Sequence, residues 1–244
     1  MWNKEIIYLH IEANKLLDRI KDESFDYIRL NKNVSEKDVQ NFIVKKFKEN
    51  NLKHDKDLPI VAFNENSAKP HYFPLEDSKI IKENSLILID LWAKFKDSKS
   101  PFGDITWMAY YGDEIPDKIK RVFDIVMKSR DNALDFIKSE LDKGKIPSGK
   151  EIDKVVRDYI YDNGFEGKFI HGTGHCIGFT SPHGNRGNIN TKGKQHLLTN
   201  MGYTIEPGIY LEGEFGVRSE INFFINGNLK LIITSKVQKE IVKI

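Results

Sequence analysis

The segment that decides the fold begins with His171-Gly-Thr-Gly-His175-Cys-Ile-Gly178, and a further histidine follows at His183. It continues with Met201-Gly-Tyr-Thr-Ile-Glu206-Pro-Gly-Ile-Tyr210 and closes with Gly216-Val-Arg218-Ser-Glu220. Imidazoles and carboxylates therefore stand on short apolar segments that are separated by glycines. Both groups are ligands for divalent metals, and several neighbouring strands would deliver them to one place. The pattern indicates a metal site that the rest of the chain completes.

Length and composition indicate an ordinary globular protein. The 244 residues suffice for one sizeable hydrophobic core, and the charged fraction is 30%. The formal net charge is +2, with lysines interspersed among acidic residues, so we expect no nucleic-acid partner and no membrane partner. The N-terminus lacks the pattern of a signal peptide. Cys176 is the only cysteine, which excludes a disulfide within the chain and predicts a cytoplasmic protein.

The spacing of apolar residues predicts two groups of helices, each followed by strands. The predicted helices cover residues 4–22, 35–50, 116–141 and 148–164. The predicted strands cover residues 58–63, 86–92, 104–111, 201–206, 220–225 and 229–233. We place Pro116 in the first turn of the third helix, and we expect Ser148 to cap the fourth and Gly164 to end it. This order predicts an α+β fold with two similar halves rather than alternating βαβ units.

Two aspartates interrupt or begin apolar strands. Asp90 lies inside Leu86-Ile-Leu-Ile-Asp-Leu-Trp92, and Asp104 follows Gly103 at the start of the next strand. A buried carboxylate must be paired, hydrogen-bonded or bound to a metal, because burying it alone is costly. The alternative, an aspartate that forms a turn at a strand end, suits Asp104 better than Asp90.

The other residues of the pattern also admit structural interpretations. Glu206 and Glu220, taken singly, could each be a satisfied carboxylate at a sheet edge, with Arg218 as the surface partner of Glu220. The glycines around His175 could form a phosphate-binding loop, but their spacing is not that of a dinucleotide fingerprint and no P-loop lysine follows. Nothing near Cys176 would activate its thiol, so we interpret it as a small packed residue.

In chain order, Asp90, Asp104, His175, Glu206 and Glu220 resemble the five metal ligands of the creatinase/aminopeptidase, or pita-bread, metallopeptidases. Thr-Ile-Glu206-Pro-Gly and Gly-Val-Arg-Ser-Glu220 resemble the two family motifs around the glutamates. The resemblance implies a pita-bread fold, with two pseudo-symmetric helix-helix-strand halves around a curved antiparallel sheet.

Two further motifs resemble the branch of that family that contains the Xaa-Pro aminopeptidases and prolidases. These motifs are His171-Gly-Thr-Gly-His175 and Pro70-His71-Tyr72. The resemblance covers residues from about 35 to the C-terminus, so we expect residues 1–244 to form a single domain. Residues 1–57 would then be helices packed on it, without a separate N-terminal domain of the creatinase type.

The resemblance also implies two divalent ions per chain, with manganese as our first choice and cobalt, zinc or iron as alternatives. Asp104 and Glu220 would bridge the ions, Asp90 would hold one, and His175 with Glu206 would hold the other. A hydroxide that bridges the ions would attack the scissile carbonyl, and Glu206 would carry a proton to the leaving nitrogen.

The same resemblance implies the roles of four more residues and the class of substrate. His71 and His183 would act in catalysis and bind the substrate, His171 would form a wall of the substrate pocket, and Arg218 would orient the ligand carboxylates. The substrate would be a peptide whose free N-terminus lies beside Asp90, cleaved as an exopeptidase cleaves, at an N-terminal Xaa-Pro bond. Relatives of this kind are often homodimers.

Three other functions remain open on the sequence. A methionine aminopeptidase would share the metal ligands but not Pro70-His71-Tyr72. A metal-free pita-bread module that binds peptides or proteins would typically have lost ligands, whereas this chain keeps all five. A creatinase-type hydrolase of a small guanidino compound is the third. The segment Lys94–Phe102 predicts a longer loop between the aspartates than the family usually has, and His183 lies one position further from His175 than usual.

Overall fold

The computed structural model describes residues 1–244 and confirms the α+β class. The helices are α1 (Lys4–Leu30), α2 (Glu36–Glu49), α3 (Asp117–Asp142) and α4 (Gly149–Asp162). The strands are β1 (Leu52–Lys53), β2 (Ile60–Phe63), β3 (Ser85–Phe95), β4 (Gly103–Tyr111), β5 (Gly202–Ile205), β6 (Gly208–Leu211), β7 (Phe215–Arg218), β8 (Ile221–Ile225), β9 (Leu231–Ile233) and β10 (Val242–Lys243). Two helices precede the main strands in each half, as the sequence predicts. None of the helices combines the length and the hydrophobicity that a membrane crossing requires.

The strands form three hydrogen-bonded sheets. In the central sheet β3 pairs with β1, β2 and β4, and β10 pairs with β4. The second sheet contains β5, β8 and β9, and the third is the hairpin of β6 and β7. Only the β4–β10 pair is parallel. The predicted antiparallel sheet is thus divided into three separate sheets. The side chain of Asn222 in β8 connects the second sheet to the central one. Its Oδ1 accepts from the Asp104 N–H of β4 at 3.0 Å, and its Nδ2 donates to the Asp104 carbonyl.

The central sheet separates two hydrophobic clusters. Successive side chains of a strand point to opposite faces. In β3, Ile89 and Leu91 join the cluster that includes residues of α1 and α2, whereas Leu88 and Trp92 join the larger cluster that includes residues of α3 and α4. Asp90 therefore points to the same side of the sheet as Leu88 and Trp92. That residues 1–244 form a single domain stays a prediction.

Local hydrogen bonds explain where two of the helices begin. In α2 the Ser35 hydroxyl accepts from the Asp38 N–H while the Asp38 carboxylate accepts from the Ser35 N–H. Ser148 and Glu151 form the same capping box at α4.

The ends of two helices test the predicted boundaries directly. Gly164, with a φ of +88°, follows the C-cap of α4 as predicted. The placement of Pro116 is wrong by one residue: it is the N-cap of α3, with an extended ψ of 141°, and the helix begins at Asp117.

Two boundaries differ because tertiary contacts prolong an element. The first helix continues beyond residue 22 to Leu30, since Phe25 and Ile28 extend its buried face. The loop between the aspartates is shorter than predicted, because Lys94 and Phe95 remain in β3 and pair with β1. The short strands β1, β6, β7 and β10 were not predicted, because two to four residues give too little periodicity.

Candidate metal centre

A cavity of about 500 Å³ is lined by side chains from both halves of the chain. All nine residues that the sequence singles out line this one cavity. They are His71, Asp90, Asp104, His171, His175, His183, Glu206, Arg218 and Glu220. Folding therefore brings together groups that are separated by more than half of the chain, such as His71 and Glu220.

The β3–β4 hairpin places the two aspartates side by side. In its register Asp90 is opposite Thr106, and Trp92 is opposite Asp104. Asp90 and Asp104 are therefore on the same face of the sheet, in neighbouring pairs. Both are buried, with relative exposures of 8% and 5%. Asp104 is therefore a buried, paired residue of β4 rather than a turn residue at the strand end.

The two glutamates come from the ends of strands in the second half. Glu220 lies between β7 and β8; its N–H donates to the Thr106 carbonyl at 3.2 Å, and its Oε2 accepts from the Thr106 hydroxyl at 2.9 Å. Glu206 directly follows β5, and its N–H donates to the Thr173 carbonyl at 2.7 Å. The following Pro207 favours an extended backbone at Glu206, in keeping with its position at a strand end.

His175 lies on a segment that is held beside β5 like an additional strand. The Thr204 N–H donates to the His175 carbonyl at 2.9 Å, and the His175 N–H donates to the Thr204 hydroxyl at 3.0 Å. The ring Nδ1 lies 3.0 Å from the Cys176 carbonyl and must donate to it, because a carbonyl can only accept. Nε2 of the neutral ring then carries a lone pair and lies 3.6 Å from Asp104 Oδ2 and 3.4 Å from Glu206 Oε1.

This arrangement of donor atoms fits a divalent cation. Ligand atoms of Asp104, His175 and Glu220 all lie within 4.8 Å of one another. Asp90 Oδ1 and Glu220 Oε1 are buried without a hydrogen-bond partner. Lone pairs that face one another without a donor repel unless a cation lies between them. Carboxylates and imidazole together suit manganese, iron, cobalt or zinc.

The pKa values of the candidate ligands reflect their burial and, for the carboxylates, their repulsion of one another. Burial, together with neighbouring carboxylates, raises the pKa of Asp104 and of Glu220 well above the usual range. Burial also raises the pKa of Glu206 to about 7 and lowers the pKa of His175 to about 4. Without a cation the site thus disfavours full ionisation of its carboxylates, and a bound divalent ion would reverse this preference.

Arg218 is buried and connects several residues of the site. Its Nη2 forms an ion pair with Asp90 Oδ2, and its Nε donates to Thr106 Oγ1 at 3.1 Å. Thr106 in turn donates to Glu220. Nη1 donates to the Tyr210 hydroxyl at 3.0 Å. Arg218 is therefore not a surface partner of Glu220, because it contacts Asp90 directly and Glu220 only through Thr106.

The three other histidines occupy different positions around the cavity. His71 is exposed on a turn, and the His183 ring lies 4.0 Å from the His175 ring between centroids. Both nitrogens of His171 are engaged, Nδ1 with the Gly172 carbonyl at 2.8 Å and Nε2 with the Tyr210 hydroxyl at 2.7 Å. Burial lowers the pKa of His171 to about 3, so the neutral ring presents a flat wall to the cavity.

Thr106 and Tyr210 contact the site although the sequence did not single them out. Thr106 follows Asp104 by two positions in a strand, which puts both on one face, so the alternation could have identified it. Tyr210 lies in β6, and no signal predicted that strand. Cys176 is buried and its pKa is raised by burial, in agreement with its interpretation as a packed residue.

Comparison with known proteins gives consistent results. The pattern that describes metallopeptidase family M24 matches residues 9–226. An uncharacterized peptidase of Staphylococcus haemolyticus is 29% identical over 226 residues, which cover 91% of this chain and 59% of that protein. This chain thus spans little more than half the length of that relative.

Solved structures are similar over the whole chain. The X-Pro aminopeptidase from Thermotoga maritima superposes with a TM-score of 0.87 at 26% identity, covering 100% of this chain and 64% of that one. The Xaa-Pro dipeptidase from Bacillus anthracis superposes with a TM-score of 0.85 at 27% identity, covering 99% and 63%. These similarities confirm the pita-bread fold that the sequence predicts.

Proposed function

Because the chain belongs to metallopeptidase family M24, we propose that it is an exopeptidase that hydrolyses the N-terminal Xaa-Pro bond of peptides. The observation that supports this most is the single cavity in which predicted metal ligands and histidines meet. The names of the two similar structures, an X-Pro aminopeptidase and an Xaa-Pro dipeptidase, support the class of substrate. The single, buried cysteine supports a reducing compartment, the cytoplasm, as its location.

We assign Asp90, Asp104, His175, Glu206 and Glu220 as the ligands of two divalent ions, with manganese as the proposed metal. When bound, the ions would polarise the scissile carbonyl and lower the pKa of a nearby water. The facing lone pairs and the unpartnered carboxylate oxygens support this assignment.

Glu206 is the residue that we assign to proton transfer. The Xaa-Pro bond is a tertiary amide, and its nitrogen must receive a proton to leave as an amine. The Glu206 carboxylate accepts one hydrogen bond, of 3.3 Å, from the Thr204 hydroxyl, and it faces the His175 ring. Its carboxylate can therefore accept a proton from the attacking water and pass it to the proline nitrogen.

The remaining residues bind and orient the peptide. Arg218 neutralises Asp90 at Oδ2 and holds its carboxylate in place. We place the free N-terminus of the peptide beside Asp90. His71 and His183 would donate hydrogen bonds to the oxygen of the scissile carbonyl as negative charge develops on it. The flat ring of His171 would pack against the proline ring.

A panel of peptides tests this proposal. With manganese added, we expect cleavage of Ala-Pro-Xaa in preference to Met-Ala-Xaa and Ala-Ala-Xaa, and no cleavage of any by Glu206→Gln. Cleavage of the dipeptide Ala-Pro alone would identify a prolidase. Efficient cleavage of Met-Ala-Xaa with the proline peptides untouched would replace the proposal by a methionine aminopeptidase. If the protein retains no manganese and cleaves none of these peptides, the metal-free binding module becomes the better account.

A further inference from the structure

The segment that carries His71 is organised around one buried carboxylate of α2. Glu36 is the first residue of that helix, and its relative exposure is 0%. It accepts hydrogen bonds from four residues, all between Phe63 and Lys79. The donors are the Phe63 N–H at 2.6 Å, the Asn66 side-chain amide at 3.0 Å, the Tyr72 hydroxyl at 2.7 Å and the Lys79 N–H at 3.1 Å.

These bonds replace regular secondary structure in a segment that has little of its own. After β2 the chain forms a short 3-10 helix, Asn64–Ala68, and then continues as turns and irregular backbone to the start of β3. The donors therefore converge on Glu36 from both ends and from the middle of the segment. Hydrogen bonds to an ionised carboxylate are stronger than neutral ones, so the carboxylate is a strong anchor.

The two residues that flank His71 are held from opposite sides. Tyr72 donates to Glu36 Oε2, and burial together with this bond raises the pKa of the Tyr72 phenol above its usual value. The Pro70 carbonyl accepts from Arg218 Nη1 at 3.3 Å. The backbone of His71 is thus fixed between α2 on one side and the candidate metal centre on the other.

Glu36 itself does not line the cavity, so it can influence the reaction only through this segment. We propose that Glu36 is a positioning residue that fixes the backbone at His71, so that the imidazole is presented to the substrate. This inference rests on the proposed function, in which His71 contacts the scissile group. Glutamine at this position would turn an amide N–H₂ toward groups that are themselves donors, and the anchor would be lost.

The test compares Glu36→Gln with a matched control in the same turn of the same helix. In Glu36→Gln we expect faster hydrogen–deuterium exchange of amides in residues 63–79 and a kcat that falls roughly 10- to 100-fold with little change in KM. Asp38→Asn removes a charge of the same sign, but the Asp38 side chain forms hydrogen bonds only with Ser35. This control should weaken α2 while exchange in residues 63–79 and kcat stay as in the wild type.

A double-mutant cycle with His71→Ala separates positioning from a general loss of stability. If Glu36 acts through His71, Glu36→Gln should lower kcat further by less than about threefold in the His71→Ala background. Equal effects in both backgrounds, or wild-type exchange of residues 63–79 in Glu36→Gln, would overturn the inference.

The test also works if Glu36→Gln does not fold or if the wild type shows no activity. If Glu36→Gln does not fold, Tyr72→Phe removes one hydrogen bond of the set and should give a smaller change of the same kind, and no change in exchange would contradict the proposal. If the wild type cleaves no peptide, the proposed function fails. Unchanged exchange would then also reject Glu36 as the anchor, whereas faster exchange would support it independently.

Discussion

Asp90 and Glu206 differ in how the protein holds them, although both belong to the predicted ligand set. Asp90 is paired with the buried guanidinium of Arg218. Glu206 faces the neutral ring of His175 at 3.4 Å, and burial raises its pKa to about 7. In the metal-free protein Glu206 is therefore a carboxylate whose charge changes near neutral pH.

Glu206 should also give the metal-free protein a specific dependence of stability on pH. The pKa of its carboxyl has the ordinary value of 4.5 in the unfolded chain and is raised to about 7 in the folded protein. The folded state binds the extra proton between these values, so this residue lowers the free energy of unfolding as the pH rises through that window. Glu206→Gln removes the titration. Relative to the wild type, the variant should gain on the order of 1–3 kcal/mol between pH 4 and pH 8.

Urea unfolding of both proteins in the presence of a chelator measures this difference. Burial lowers the pKa of His10, which gives the opposite slope, but His10 forms no hydrogen bond with Glu206 and its contribution cancels when the variant is compared with the wild type. The charge of Glu206 contributes to the raised pKa values of Asp104 and Glu220, so the variant loses that contribution as well and the expected difference keeps its sign. A difference in unfolding free energy that does not change with pH would show that Glu206 titrates normally in the folded state.

At the scale of elements, the position of His175 depends on the close approach of two backbone segments. Gly174 pairs with Ile189 on one side, and the His175 carbonyl accepts a hydrogen bond from the Thr204 N–H of β5 on the other. A Cβ at Gly174 would lie 2.1 Å from the Thr204 carbonyl oxygen. That atom belongs to the backbone of a strand, so it cannot move aside as a flexible side chain would.

Gly174→Ala should therefore displace His175 and lower both stability and metal affinity. Overpacking of this kind costs about 1–3 kcal/mol. Gly227→Ala is the matched control, because the nearest atom to its Cβ would be 3.9 Å away, and its effect should stay within about 0.5 kcal/mol. Thermal unfolding with and without manganese measures both effects. Wild-type stability and metal affinity in Gly174→Ala would contradict the close approach.

How much the sequence could predict depends on the length of each element. Apolar periodicity identified the long helices and β3 and β4, together with the aspartates on them. The hairpin of β6 and β7 consists of four-residue strands, so neither it nor Tyr210 could be identified. Contacts between residues distant in sequence could not be predicted either. No local pattern indicates that Arg218 forms an ion pair with Asp90. The sequence identified Glu36 only as part of a capping motif, and it gave no sign that this residue accepts hydrogen bonds from distant donors.

At the scale of the whole molecule, the candidate metal centre lies where the two halves of the chain meet. Asp90 and Asp104 come from the central sheet, whereas His175, Glu206 and Glu220 come from the second half. The halves are already connected by two hydrogen bonds, one from the Thr106 hydroxyl to Glu220 Oε2 and one from the Glu220 N–H to the Thr106 carbonyl. A cation held by both halves would oppose their separation, and a ligand at 100 times its Kd stabilises a folded protein by about 2.7 kcal/mol.

The stoichiometry of bound metal tests the central claim most directly. Protein is loaded with excess manganese or cobalt, desalted and subjected to elemental analysis, with thermal unfolding measured on the same samples. We predict two divalent ions per chain and a higher unfolding temperature than in the metal-free protein. Asp104→Asn should bind fewer ions and gain less stability. A content that stays near zero, with no thermal stabilisation by either metal, would contradict the metal centre and favour a pita-bread module that binds its partners without metal.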